Sequence, residues 1–162
     1  MSESNEIQVF NAGEITARLS EERQVVRFMG KRILESYASQ LSGKWYIHVA
    51  GATYLASALG YTVREVEAKR ITIDLGNGQT LGAWEAVSEV IDRDGVVRGR
   101  GSGICADDET AWSKRPHFAR RAMASTRSAG RALRLLLGHL FPLLGDAVAS
   151  VTLEEMPSRD AA

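Results

Sequence analysis

The sequence predicts an α+β domain: an N-terminal helix, a three-stranded antiparallel meander, and a long C-terminal helix packed on the sheet. Three observations point to it. Val26, Met29, Ile33, Tyr37 and Leu41 recur at three- and four-residue steps, which gathers apolar side chains on one face of a helix. From Tyr61 to Ala106 the signal turns to β, and its runs are separated by Gly76-Asn77-Gly78 and Asp94-Gly95, residues that supply the positive φ of tight turns. After Pro116, a residue suited to a first helical turn, helical spacing returns as far as Leu140.

Taken in order, Met1–Leu19 is polar, with Glu3, Glu6 and Glu14, and reads as a flexible acidic N-terminus (1–19). Ser20, followed by Glu21 and Glu22, reads as an N-cap with acids in the first turn, where they complement the helix dipole. The helix is expected to end near Ser42-Gly43. Trp45–Val49 is a short strand-like run, and Ala50–Leu59, rich in Ala and Leu and closed by Gly60, reads as a short helix. Tyr61–Leu75, Thr80–Asp92 and Val96–Ala106 are the three strands of a meander, which needs no crossover helices. A polar loop, Ala106–Ser113, leads to the long helix. These elements make one domain over 20–141. The extension 142–162 is mildly acidic, with Val148–Leu153 as a candidate strand.

Composition narrows the classes. A chain of 162 residues with 44% hydrophobic and 25% charged residues has ordinary globular composition and room for one core. Lys and Arg number 20 and Asp and Glu 20, so net charge alone gives no reason to expect nucleic acid or membrane. A lone Cys105 forms no intramolecular disulfide, which fits a reducing, cytoplasmic setting. Met1–Gln8 lacks the basic and apolar regions of a signal peptide, and Leu133–Leu144 is too short and too interrupted to span a bilayer.

Gly99, Gly101 and Gly103 alternate along the third strand and leave one of its faces bare, while Arg98, Arg100 and Ser102 point the other way. Three such glycines imply close approach of another backbone. The long helix offers a surface of small residues, with Phe118, Ala122, Ser125, Ala129, Leu133, Leu136 and Leu140 expected on the side that meets the sheet.

On the opposite side Arg120, Arg127, Arg131 and Arg134 fall within one arc, flanked by Arg121 and His117, with Lys114 and Arg115 just before the helix. No acid occurs between Trp112 and Leu140. A solvated helix normally interleaves charges of both signs, because opposite pairs at i,i+4 attract and like pairs repel. An uncompensated stripe of Arg, the side chain best shaped for bidentate phosphate contact, suggests a polyanion site. The alternative is that acids elsewhere in the fold, or on a neighbouring subunit, pair with these arginines.

The run Trp112, Arg115, Phe118, Ala119, Arg121, Ala122, Met123, Ala124, Thr126, Arg127 through Gly130-Arg131-Ala132-Leu133-Arg134, with Gly138 four residues later, resembles the Rad fifty-two type of single-strand annealing protein and its phage and prokaryotic relatives, alongside Erf, RecT and Redβ. The prokaryotic pattern there is a Trp, an aromatic, then "SMAQTRA…KALR". Tyr46–Gly60 resembles the "Y…V.G…L…LG" pattern that precedes the strands. Ser125 stands where the family has Gln, and of the family's "AGYEPTPAEEM" end only Glu154-Glu155-Met156 is recognisable.

The resemblance implies a Rad fifty-two-like core in a homo-oligomeric ring or filament that anneals single-stranded DNA without ATP, a cofactor or catalytic turnover. A single-strand-binding protein or an exonuclease is then a candidate partner. Arg131 and Arg134 match family positions that line the DNA groove. On that reading Arg127, Arg131 and Arg134 contact phosphate, with Arg120, Arg121, Lys114 and Arg115 beside them, and Arg98 and Arg100 or Lys69 and Arg70 forming the sheet-side wall. Trp84, Trp112 and Tyr54 are the aromatics considered for base stacking. Competing readings are a duplex-binding module and, from Asp107-Asp108-Glu109 with Lys114, a metal-dependent nuclease. Adjacent carboxylates on a loop do not by themselves converge on one ion, and His117 with Cys105 is an equally weak metal pair.

Overall fold

Helical propensity at the start of the chain extends further than the capping signature at Ser20 suggests. In a computed structural model that describes residues 12–156, α1 runs Ala12–Tyr37, so Ser20 lies inside the helix. Ala, Glu, Arg and Leu between Ala12 and Leu19 are good helix formers. Arg18 also bonds Glu22 at 3.3 Å across one turn. The expected flexible segment 1–19 is therefore helical from Ala12, and its first eleven residues lie outside the described ones.

The other end of α1 also departs from expectation. The helix stops at Tyr37, and Ser42 (φ 50°) with Gly43 (φ 79°) forms the two-residue turn of a hairpin. The turn joins β1 (Ala38–Leu41) to β2 (Lys44–Ile47), with Leu41 opposite Lys44. Leu41 thus continues the apolar spacing of α1 without being helical. α2 (Val49–Ala58) follows, and Gly60 leaves it at φ 86°.

The meander forms as expected. β3 (Thr62–Gly76), β4 (Gln79–Ile91) and β5 (Val97–Ala106) pair antiparallel in the order β3-β4-β5. Gly76, Asn77 and Gly78 all take positive φ, and Asp74 Oδ1 accepts the Gly76 N–H at 2.8 Å to fix the turn. α3 (His117–Leu137) has Pro116 at its N-cap. A single 3₁₀ turn (Phe141–Leu143), β6 (Val148–Thr152) and a second 3₁₀ turn (Leu153–Glu155) complete the described chain. β6 pairs parallel with β2, giving a second sheet in the order β1-β2-β6.

Two cores result. The larger joins Val26 and Ile33 of α1, Ile47, Leu55 of α2, Leu133 and Leu137 of α3, and Phe141. The smaller holds Ala86, Cys105 and Ala124, with Trp84, Trp112 and Met123 packed against it. Between them the glycine strand meets α3. A Cβ added at Gly101 would lie 2.5 Å from the Ala132 nitrogen, one at Gly99 would lie 2.9 Å from the Ala132 oxygen, and one at Gly103 would collide with the Ser128 nitrogen.

Leu133 and Leu140 of the expected helix face are buried and Leu136 lies by Gly99, but in its first half the face in this contact is not the expected one. Ala124, Ser128 and Ala132 are fully buried, whereas Phe118 is 77% exposed and Ala122 is exposed. The expected line is rotated by about one residue, ~100° of helix. Small residues stand in both rows, Ala122, Ser125 and Ala129 in the expected one and Ala124, Ser128 and Ala132 in the buried one, so spacing alone does not choose between them. Ser128 also bonds Ser88 of β4, Oγ to Oγ at 2.7 Å, so this polar pair is satisfied inside the contact.

Candidate nucleic-acid interface

The absence of acids from α3 is compensated by carboxylates that the fold delivers from elsewhere. Arg120 is buried, and its Nη1 donates to Asp107 Oδ1 at 2.6 Å; Asp107 also accepts Arg70 Nη1 at 2.8 Å. The Arg70 hydrogen bond, with the charge of Arg120 adding to it, holds the Asp107 carboxyl below its ordinary range. Arg127 forms a fork with Glu109, 2.7 Å at each nitrogen, and donates to the Ile104 carbonyl at 2.6 Å. Its hydrogen bonds to Glu109 push the Arg127 pKa up.

The remaining arginines are engaged in the same way. Arg134 donates to Glu155 at 2.8 Å and Arg121 to Glu65 at 2.6 Å. On the sheet, Arg98 meets Asp92 at 2.7 Å, Arg100 meets Glu89 at 3.5 Å, and Lys69 meets Glu67 at 3.0 Å. Eight of the eleven candidate cations therefore carry an ion pair inside the chain. This is the alternative that the charge pattern left open, pairing with acids elsewhere in the fold. Arg131, Lys114 and Arg115 stay exposed, with no ion pair to another described residue.

Of the eight pairs, those of Arg120 and Arg127 are the most enclosed, with 10% and 16% of the side chain exposed. Those of Arg121 and Lys69 lie open to water, where an ion pair contributes only about 0–1 kcal/mol and exchanges readily for another anion, whereas Arg98 and Arg100 are themselves exposed but rest on the more enclosed carboxylates of Asp92 and Glu89.

The aromatics divide similarly. Trp84 is half-buried, its ring edge-on to His117 at 6.5 Å between centroids and covered by the Arg70 guanidinium at 5.9 Å. Trp112 packs in the smaller core. Tyr54 lies on Tyr37 at 5.8 Å with Arg32 over its ring. Phe118, expected on the buried side of the helix, is instead the large exposed aromatic of α3.

Asp107 and Glu109 are held by arginines, and Glu109 Oε1 also accepts the Ala106 N–H at 2.8 Å, closing the loop. Among the described residues no three His, Cys, Asp or Glu side chains converge as metal ligands do. Burial pushes the Cys105 thiol up to about 11, which keeps it a protonated core residue at neutral pH.

One cluster has no clear sequence signal beyond the Glu154-Glu155-Met156 match. Ser39 Oγ lies 2.8 Å from His48 Nε2, and Glu154 Oε1 lies 3.8 Å from His48 Nδ1, beyond hydrogen-bond range. Glu154 Oε2 accepts the Val49 N–H at 2.9 Å, so this carboxylate serves the first turn of α2, whose cap residue His48 supplies no side-chain bond. With Glu155 on Arg134, the two acids clasp the 3₁₀ turn Leu153–Glu155 onto α2 and α3.

No protein-family model matches the chain, and no curated protein matches it. Among the described residues no helix is long and apolar enough to cross a membrane.

Proposed function

We propose that the chain binds single-stranded DNA and anneals complementary strands without ATP, acting as a homo-oligomer. The observation that carries this reading is that Arg131, Lys114 and Arg115 are exposed and make no ion pair with another described residue, on the acid-free segment from Trp112 to Leu140 that bears the annealing-protein pattern. The helix-on-meander fold supports it. Complementary strands repel through their phosphates, and fixed cations that neutralise part of this charge lower the barrier to pairing. Arg131, Lys114 and Arg115 make the primary phosphate contacts. Arg98, Arg100, Arg121 and Lys69, whose side chains are themselves exposed, join by exchanging their carboxylates for phosphate. Arg120 and Arg127 hold the fold, and Arg134 ties down the turn Leu153–Glu155.

The test is a titration of the full chain with a labelled oligonucleotide as single strand and as duplex, followed by an annealing assay on complementary strands. Preference for the single strand and annealing faster than that of free DNA are expected. Arg131→Glu combined with Lys114→Glu should lower affinity about tenfold or more, as removal of several phosphate contacts does. A wild-type chain that binds no single strand at moderate salt, or that leaves the annealing rate unchanged, overturns the proposal.

A further inference from the structure

We infer that Phe118, flanked by Lys114 and Arg115, is a nucleotide-stacking subsite: a base lies on the Phe118 ring while the adjoining phosphates meet the two cations. The inference rests on the single-strand reading above and goes beyond it by naming where a base, rather than the backbone, is held. Phe118 is 77% exposed in the first turn of a 21-residue helix, and among the described residues no ring or cation stacks on it. An aromatic left in water is costly and gains by stacking on any planar partner.

The surroundings select the partner. Lys114 and Arg115, two and one residues before the Pro116 cap, are exposed and carry no ion pair to a described residue. Arg121, one turn along the same face, holds its Glu65 pair at the surface with 45% of its side chain exposed. The first turn of α3 contains no acid. A free aromatic among cations complements a polymer that alternates flat bases with phosphates, the arrangement through which sequence-tolerant single-strand binding works. Duplex DNA, with its bases stacked inside, offers no face to such a ring.

Three side chains test this in the full chain: wild type, Phe118→Ala and Phe118→Trp, each titrated with dye-labelled oligodeoxythymidylate over a range of salt. Phe118→Ala should weaken binding roughly 5- to 100-fold, the loss of one stacked base. Its salt dependence should stay that of wild type, because no charge is removed. Phe118→Trp should restore affinity, and its added fluorescence should be quenched by the oligonucleotide. Because Phe118 makes no core contact, the thermal midpoint should not change. Wild-type affinity in Phe118→Ala, or an unquenched Phe118→Trp, overturns the subsite while leaving the single-strand reading intact. A Phe118→Ala chain that changes its mass in light scattering but not its affinity makes the patch a subunit contact and overturns the subsite as well. If wild type itself does not bind, it is the single-strand reading that fails.

Discussion

Arg120 is buried on a helix that offers it no counter-charge, so its stability depends on Asp107, a residue of the preceding loop. Removing that carboxylate leaves a charged side chain enclosed and unpaired. Asp107→Ala is expected to cost about 1–3 kcal/mol, read as a lowered denaturant midpoint. Arg70→Ala, which frees two bonds to the same carboxylate but leaves Arg120 paired, should cost less. The Asp107 pair also has a pH signature. Its pKa is held below the unfolded value, first by the hydrogen bond from Arg70, so the native state binds the proton less readily than the unfolded chain does. The resulting stability is present in full above about pH 4, the ordinary Asp pKa, and is lost as pH falls through the lower folded value. Thermal midpoints measured from pH 6 downward should fall more steeply for wild type than for Asp107→Asn. Equal slopes would show that Asp107 is not linked to folding.

At the scale of elements, the contact between α3 and β5 leaves no room for a side chain. Gly99, Gly101 and Gly103 each present bare backbone to Ala124–Ala132, and the clearance shrinks along the row. Gly103→Ala and Gly101→Ala should therefore destabilise by about 1–3 kcal/mol or more, because backbone rather than a flexible side chain stands in the way, and Gly99→Ala by the least of the three. The order of denaturant midpoints checks this; an Ala at Gly103 with no effect would mean that the helix stands off the strand. The presence of this contact was legible in the sequence because glycine alternation belongs to one strand. The helix face was not, because Ala122, Ser125 and Ala129 form a row of small residues one position along from Ala124, Ser128 and Ala132, and only the packed sheet selects between the two rows. The meander was legible through turn chemistry: Gly76, Asn77 and Gly78 can take positive φ wherever they sit. The end of α1 was hidden because it depends on a distant strand, since β2 is completed by β6, with Trp45 opposite Val148. The ion pairs were hidden for the same reason. Glu65, Glu109 and Glu155 lie 56, 18 and 21 residues from Arg121, Arg127 and Arg134. What remained legible of the candidate site was the segment free of acids from Trp112 to Leu140; that Arg131, Lys114 and Arg115 make no ion pair with another described residue was not.

For the whole molecule, with 20 cations and 20 acids, the described residues neutralise most of the basic stripe within the fold, while Arg131, Lys114 and Arg115 make no ion pair among them. This makes the salt dependence of binding a quantitative test. Each phosphate neutralised on a single strand contributes about 0.7 to the slope of log affinity against log salt. If only Arg131, Lys114 and Arg115 meet phosphate, the slope per subunit should be near −2. If Arg98, Arg100, Arg121 and Lys69 also exchange their carboxylates for phosphate, it approaches roughly −5, less whatever is returned by releasing the acids. A slope near −8 would require all eleven candidates, including Arg120 and Arg127, whose pairs are the most enclosed and whose release would cost folding stability. Measuring affinity for an oligonucleotide at several salt concentrations separates these cases, and the combined Lys114→Ala, Arg115→Ala and Arg131→Ala chain should flatten the line by about 2. An unchanged slope in that chain would move the phosphate contacts onto the sheet-side arginines, away from α3.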